Sequence, residues 1–197
     1  MNLPNKLTIA RMCAIPIVII VTLLSFLSDV IKGFNLQLLI LLVVFILASI
    51  TDFLDGKIAR KYNLVTNFGK FMDPLADKLL VMSTMIAILE LGIFQAFGVN
   101  FGFVITIILA RELAITGLRT LAADNGVVIS ASKLGKLKTV SQMFMIIYVI
   151  GINMFNIENT LIKDIVTVVL VSFATIMTIV SGIDYFIKNA KVLKEQK

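Results

Sequence analysis

Residues 52–77 read Asp52-Phe53-Leu54-Asp55-Gly56-Lys57-Ile58-Ala59-Arg60, then eight residues, then Gly69, Asp73 and Asp77. At about 100° per residue, Asp52, Asp55, Gly56, Ala59 and Arg60 share one face of a helix. Gly69, Asp73 and Asp77 recur every four residues and share a face of the next helix. Carboxylates are costly in apolar surroundings unless a cation compensates them. An oxygen-only donor set suits a hard divalent ion such as magnesium, calcium or manganese, not zinc or copper. Two such ions bridged by shared carboxylates can clamp a pyrophosphate and stabilise both attacking and leaving oxygens. Gly56 and Ala59 lack bulk on that face, so a nucleotide can lie against the backbone, and Arg60 can pair with a phosphate.

Blander readings stay open for each residue. Asp52 and Asp55 also read as helix-end charges beside Lys57 and Arg60, Asp73 as an N-cap ahead of Pro74, and Gly56 and Ala59 as packing residues.

The surroundings of this stretch are apolar. Of 197 residues, 59% are hydrophobic and 15% charged, with a mean hydropathy of +1.02. Soluble domains are about 45–50% apolar and about 25% charged. Six apolar runs, near residues 7–27, 36–60, 70–92, 99–121, 134–155 and 162–187, each approach the ~20 helical residues that cross a bilayer core. The expected fold is an all-α integral membrane protein of six transmembrane helices, a single membrane-embedded catalytic domain over 1–197. The first run is long and lacks a small-residue cleavage site, so it reads as a span rather than a cleaved leader. Pro16 is expected to kink it at most. Gly102, Thr106, Thr116 and Gly117 would allow close helix packing.

With the N-terminus inside, every basic residue except Lys32 and Lys163 falls on one side. The positive-inside rule then puts both termini in the cytoplasm and the protein in the plasma membrane, with the aspartates at the cytoplasmic surface. The net charge of +6 therefore reflects topology, and no nucleic-acid partner is expected. The chain has no histidine, one cysteine (Cys13) and no tryptophan. That removes the usual general base and zinc ligand and any intrachain disulfide, and leaves interfacial anchoring to Tyr62, Tyr148, Tyr185 and the lysines.

The pattern Asp-x-x-Asp-Gly-x-x-Ala-Arg-(eight residues)-Gly-x-x-x-Asp-x-x-x-Asp resembles the signature of the CDP-alcohol phosphotransferases at every defining position, and the six runs around it look like that family's fold. The resemblance implies that Asp52, Asp55, Asp73 and Asp77 bind two divalent cations, Mg2+ first and Mn2+ as the other option. It implies that Asp77 is also the base that deprotonates the acceptor hydroxyl. It further implies that Gly56, Ala59, Arg60, Thr66 and Gly69 line the CDP portion of CDP-diacylglycerol. The segment Pro4-Asn5-Lys6-Leu7-Thr8 looks like the family's short nucleotide-contacting stretch and points to Asn5 and Thr8. Membrane lipid and a second copy of the chain, in a homodimer, are the implied partners.

A second cluster comprises Arg111, Glu112, Arg119, Lys133, Lys136 and Lys138. Arg111 reads as a salt bridge to Glu112 or to an aspartate, as an ordinary snorkelling side chain, or as part of a pocket for a phosphorylated acceptor; Lys133, Lys136 and Lys138 read either as topology charges or as that same pocket. The stretches Ala110-Arg111-Glu112 and Gly135-Lys136-Leu137-Lys138-Thr139 resemble the branch of the family whose acceptor is sn-glycerol 3-phosphate, which assigns Arg111, Arg119, Lys136 and Lys138 to its phosphate. A relative using inositol phosphate or phosphatidylglycerol is the alternative within the class. A small divalent-cation transporter is the alternative outside it, disfavoured because the carboxylates lie at one end with no charged site deeper.

Overall fold

The computed structural model describes residues 2–28, 33–62, 66–127, 129–130, 132–155 and 160–190, the side chains of 53–61, 67, 70 and 124 excepted. It is helical throughout: α1 (Leu3–Leu23), α2 (Leu36–Lys61), α3 (Asn67–Glu90), α4 (Gly102–Asp124), α5 (Lys133–Met154) and α6 (Thr160–Lys188). A 3-10 turn at Ser25–Ser28 and a small hairpin, β1 (Gln95–Ala96) with β2 (Val99–Asn100), complete the elements. Among the described residues α1, α5 and α6 are long and apolar enough to cross a membrane. The described part of α2, Leu36–Asp52, is apolar but shorter, while α3 carries Asp73 and Asp77 and α4 carries Arg111, Glu112 and Arg119. Outward side chains such as Ile19, Ile20, Leu23, Phe144 and Ile187 are largely exposed. That much apolar surface on a helical chain is a surface for lipid, and the protein is membrane-embedded.

The helix ends follow local chemistry. The Asn2 side chain accepts from Asn5 N at 3.2 Å, and Pro4 sits in the first turn, where its missing N–H costs nothing. The helix therefore starts at Leu3, before the apolar run itself. It then continues through Pro16. Thr66, not Asp73, caps α3: its Oγ1 accepts from Gly69 N at 3.0 Å. The reading of Asp73 as an N-cap is thereby corrected. A threonine in extended conformation one residue before Asn67 supplies the cap a turn and more earlier, and Pro74 lies inside the helix.

The chain divides into two compact units. The first holds residues Met1–Phe94 and Ile146–Thr160, with α1 packed along both α2 and α3. Its core includes Val18, Val21, Leu38, Leu41, Phe45, Ala76, Leu80, Met85 and Ile88. Gln37 Nε2 donates to the carbonyls of Val21 and Thr22 at 2.8 and 3.0 Å, satisfying acceptors that a helix end leaves open. Asn35 N donates to Met154 O at 3.0 Å, and the Phe34 and Phe155 rings meet edge to face at 5.5 Å.

The second unit holds Gln95–Met145 and Leu161–Lys197. Its hairpin turns through Phe97 and Gly98, both at positive φ, as a two-residue turn that follows strand twist requires. Phe97 N donates to Asp164 Oδ2 at 3.1 Å, fixing the turn to the start of α6. Inside the unit, Gln142 Nε2 donates to Thr178 Oγ1 at 3.0 Å, and Ile115, Leu118 and Tyr185 form a buried cluster. Thr106, Thr116 and Gly117 do not provide the expected close packing. They lie on the exposed side of α4, and a Cβ on Gly117 would meet nothing within 4 Å.

Candidate active site

In the first unit, α1 presents Asn5, Thr8 and Arg11 at intervals of three residues, all buried. Each reaches a different part of the aspartate-bearing helices. Asn5 Oδ1 accepts from Thr66 Oγ1 at 2.9 Å, so the residue that caps α3 is itself held by α1. The Thr8 hydroxyl lies 2.5 Å from Asp73 Oδ1 and 3.1 Å from the Pro4 carbonyl; its single proton favours the charged acceptor. Arg11 Nη1 lies 2.9 Å from Asp52 Oδ1 and 2.5 Å from Asp77 Oδ1. One guanidinium nitrogen thus joins a carboxylate of α2 to a carboxylate of α3.

Exposure divides this arrangement into a floor and an opening. The Arg11 side chain is 0% exposed, while those of Asp52 and Asp77 are 35% and 42% exposed. The cation lies beneath, and the carboxylates remain accessible from outside. Gly69 adds a notch. A Cβ there would stand 3.4 Å from Asn5 Oδ1, 3.4 Å from Thr66 Oγ1 and 3.5 Å from Asp73 Oδ2. A side chain there would pack against these three oxygens, which glycine leaves uncovered.

The structure therefore brings together Asn5, Thr8, Asp52, Thr66, Gly69, Asp73 and Asp77. The side chains of Asp55, Gly56, Ala59 and Arg60 lie outside the described residues, although their backbone belongs to α2. Among the described residues no three acidic, histidine or cysteine side chains already form a metal-holding group. The donors that do converge are all oxygens, which fits a hard divalent cation. Arg11 is the residue that the sequence reading missed, having counted it only as a topology charge. The available signal was its register: it continues the Asn5–Thr8 series by three, and it places a cation about 12 Å along an apolar helix.

The basic cluster of the second unit is built around one acid. Glu112 Oε1 receives Arg111 Nη1 at 2.9 Å and Lys138 Nζ at 2.6 Å. Arg111 Nη2 also donates to Ser181 Oγ at 3.1 Å, while its buried Nε meets no acceptor among the described residues. A Cβ on Gly182 would come within 3.2 Å of Arg111 Cγ, so the arginine stem runs tightly over that glycine. The salt bridge of Arg111 to Glu112 is present. Two cations on one carboxylate still leave a net positive charge. Arg119 is exposed but donates Nε–H to Tyr185 OH at 2.7 Å, with its guanidinium 5.4 Å from the ring centroid. Lys133 and Lys136 are exposed. A cavity of about 440 Å³ opens beside them, lined by Ser130, Ser132, Lys133, Asp184, Tyr185 and Lys188 among others.

Comparison with known proteins bears on both clusters. The model of the CDP-alcohol phosphatidyltransferase family matches residues 1–183. The chain is 41% identical over 199 residues to the CDP-diacylglycerol–glycerol-3-phosphate 3-phosphatidyltransferase of Bacillus subtilis, covering 98% of this chain and 97% of that one. It is 42% identical over 186 residues to the protein of the same name from Rickettsia bellii, covering 94% of this chain and 93% of its relative. A protein of that name from Wigglesworthia glossinidia brevipalpis is 34% identical over 188 residues.

Proposed function

From the premise that the chain belongs to the CDP-alcohol phosphatidyltransferase family, we propose that it transfers the phosphatidyl group of CDP-diacylglycerol to sn-glycerol 3-phosphate. The products are phosphatidylglycerophosphate and CMP. The observation that carries this reading is the near full-length identity to enzymes named for that reaction. The gathering of Asp52, Asp73 and Asp77 on the Asn5–Thr8–Arg11 face gives the chemistry a place.

The acceptor's free hydroxyl oxygen attacks the phosphorus that bears the diacylglycerol. The bond from that phosphorus to the CMP oxygen breaks, and the hydroxyl proton passes to Asp77, whose side chain is 42% exposed. Asp52, Asp55, Asp73 and Asp77 would hold divalent cations, Mg2+ or Mn2+, which would supply positive charge to the pyrophosphate. Thr8 orients Asp73 through its hydroxyl, and Asn5 and Thr66 keep the start of α3 in register with α1. Gly56, Ala59, Arg60 and Gly69 accommodate the cytidine diphosphate. Arg111, Arg119, Lys136 and Lys138 take the acceptor's phosphate, a dianion that needs several cations.

The six helices all span the plasma membrane, both termini and the aspartates face the cytoplasm, the whole of 1–197 acts as one catalytic domain, and the active form is a homodimer. The test is the purified protein in detergent with CDP-diacylglycerol and each candidate acceptor in turn, measuring CMP release. Turnover with sn-glycerol 3-phosphate alone supports the reading. Equal turnover with inositol phosphate or phosphatidylglycerol overturns the acceptor.

A further inference from the structure

We propose that Arg11 is the counter-ion of the carboxylate centre, competing with a divalent cation for the same two oxygens, Asp52 Oδ1 and Asp77 Oδ1. This rests on the reading above that these aspartates hold the metal, and it assigns to α1 the setting of metal affinity.

The geometry is specific. A single nitrogen, Arg11 Nη1, contacts both oxygens, at 2.9 and 2.5 Å, from a side chain with no exposure at all. A guanidinium does not lose its proton in a protein, so the charge stays whatever else binds. Buried in an apolar helix, that charge is tolerated only while carboxylates face it. Asp52, Asp77 and Arg11 together carry one net negative charge, and Asp73 adds a second nearby. The remaining negative charge still attracts a divalent ion. Part of the coordination that carboxylates offer is, however, already used by Arg11.

Arg11 therefore acts in two opposite directions. It relieves carboxylate repulsion, which favours the fold, and it weakens cation binding relative to bare carboxylates. Thr8 and Gly69 leave Asp73 out of this competition. The Thr8 hydroxyl occupies Asp73 Oδ1, and Oδ2 faces the notch over Gly69. A cation held there would compete with Arg11 at Asp52 and Asp77 but not at Asp73, which Arg11 does not contact among the described pairs.

A residue that merely supports the site predicts weaker metal binding when removed; a competing cation predicts tighter binding. The full chain in detergent is titrated with Mn2+, free ion being read by electron paramagnetic resonance. Thermal unfolding is followed by circular dichroism with and without Mn2+. Arg11→Met is expected to bind Mn2+ at least about tenfold tighter, the scale of one charge-assisted contact. It should also unfold at lower temperature without Mn2+ and gain more from its addition. Unchanged or weaker Mn2+ binding overturns the proposal. If Arg11→Met does not extract folded, Arg11→Lys carries the test, since one ammonium cannot hold the two carboxylates with the reach of a guanidinium. A smaller tightening is then expected, and none overturns the proposal. Asp77→Asn separates the two readings. If it binds Mn2+ as the wild type does, the aspartates are not the metal site and both fail. If it binds weakly while the Arg11 variants do not bind more tightly, only the competition fails.

Discussion

Lys138 Nζ lies 2.6 Å from Glu112 Oε1, the same oxygen that Arg111 Nη1 contacts at 2.9 Å. Both side chains are nearly buried, and both cations meet this one carboxylate oxygen. Glu112→Gln leaves Arg111 and Lys138 facing each other across a neutral amide. A loss of stability of about 1–3 kcal/mol is expected, because a hydrogen bond survives but the charge does not. The double variant Glu112→Gln with Lys138→Met should recover part of it. Thermal unfolding in detergent checks this, and a wild-type midpoint for the single variant would show that the pairing adds nothing.

The same cluster is the proposed seat of the acceptor's phosphate. Removing one charge-assisted bond to a phosphate costs about 1.5–3 kcal/mol, roughly ten- to a hundredfold in affinity. Arg111→Ala or Arg119→Ala should raise the KM for sn-glycerol 3-phosphate by that factor and leave the KM for CDP-diacylglycerol nearly unchanged. Lys136→Ala should do less, since lysine lacks the planar fork of arginine. Normal KM values in all three variants would return these residues to the role of topology charges.

At the aspartates the variants should divide by role. Asp52→Asn and Asp73→Asn are expected to weaken metal-dependent binding of CDP-diacylglycerol. Asp77→Asn should abolish transfer while binding of the lipid nucleotide falls much less. Asp55→Asn should behave as Asp52→Asn does, and chelation should stop turnover in the wild type. Equal loss of binding in all four would make Asp77 a ligand and nothing more.

Topology can be checked by thiol labelling in a Cys13→Ala background. Tyr62→Cys is expected to resist a membrane-impermeant maleimide in intact cells, and Phe97→Cys to react. Both positions are exposed, so access to the side of the membrane, not burial, decides the result. The reverse pattern would invert the orientation.

The helices were legible in the sequence because apolar run length reports them directly. The ends of α1 and α3 were less so, since they depend on Asn2 and Thr66, single side chains that satisfy a backbone N–H. The four-residue spacing of Gly69, Asp73 and Asp77 indicated a shared face, and the structure places all three toward α1 residues. Arg11 escaped notice for a physical reason. Counting charges by side treats any arginine near an end alike, whereas only tertiary structure distinguishes a charge in water from one on two carboxylates. Gly117 shows the converse. A small residue in an apolar helix suggests packing, yet it stands on the open side of α4.

The partners of Arg11 also bear on how the chain is made. α1 leaves the ribosome before α2 and α3, and Asp77 follows 66 residues behind Arg11, several seconds at ~5–20 residues per second. During that interval α1 carries an arginine that costs about 2.5–3.5 kcal/mol at mid-membrane. The nascent helix is thus expected to sit shallow, with its guanidinium reaching to the headgroups, until α2 and α3 arrive. Its final seating is a late event of biogenesis, completed by helices synthesised after it.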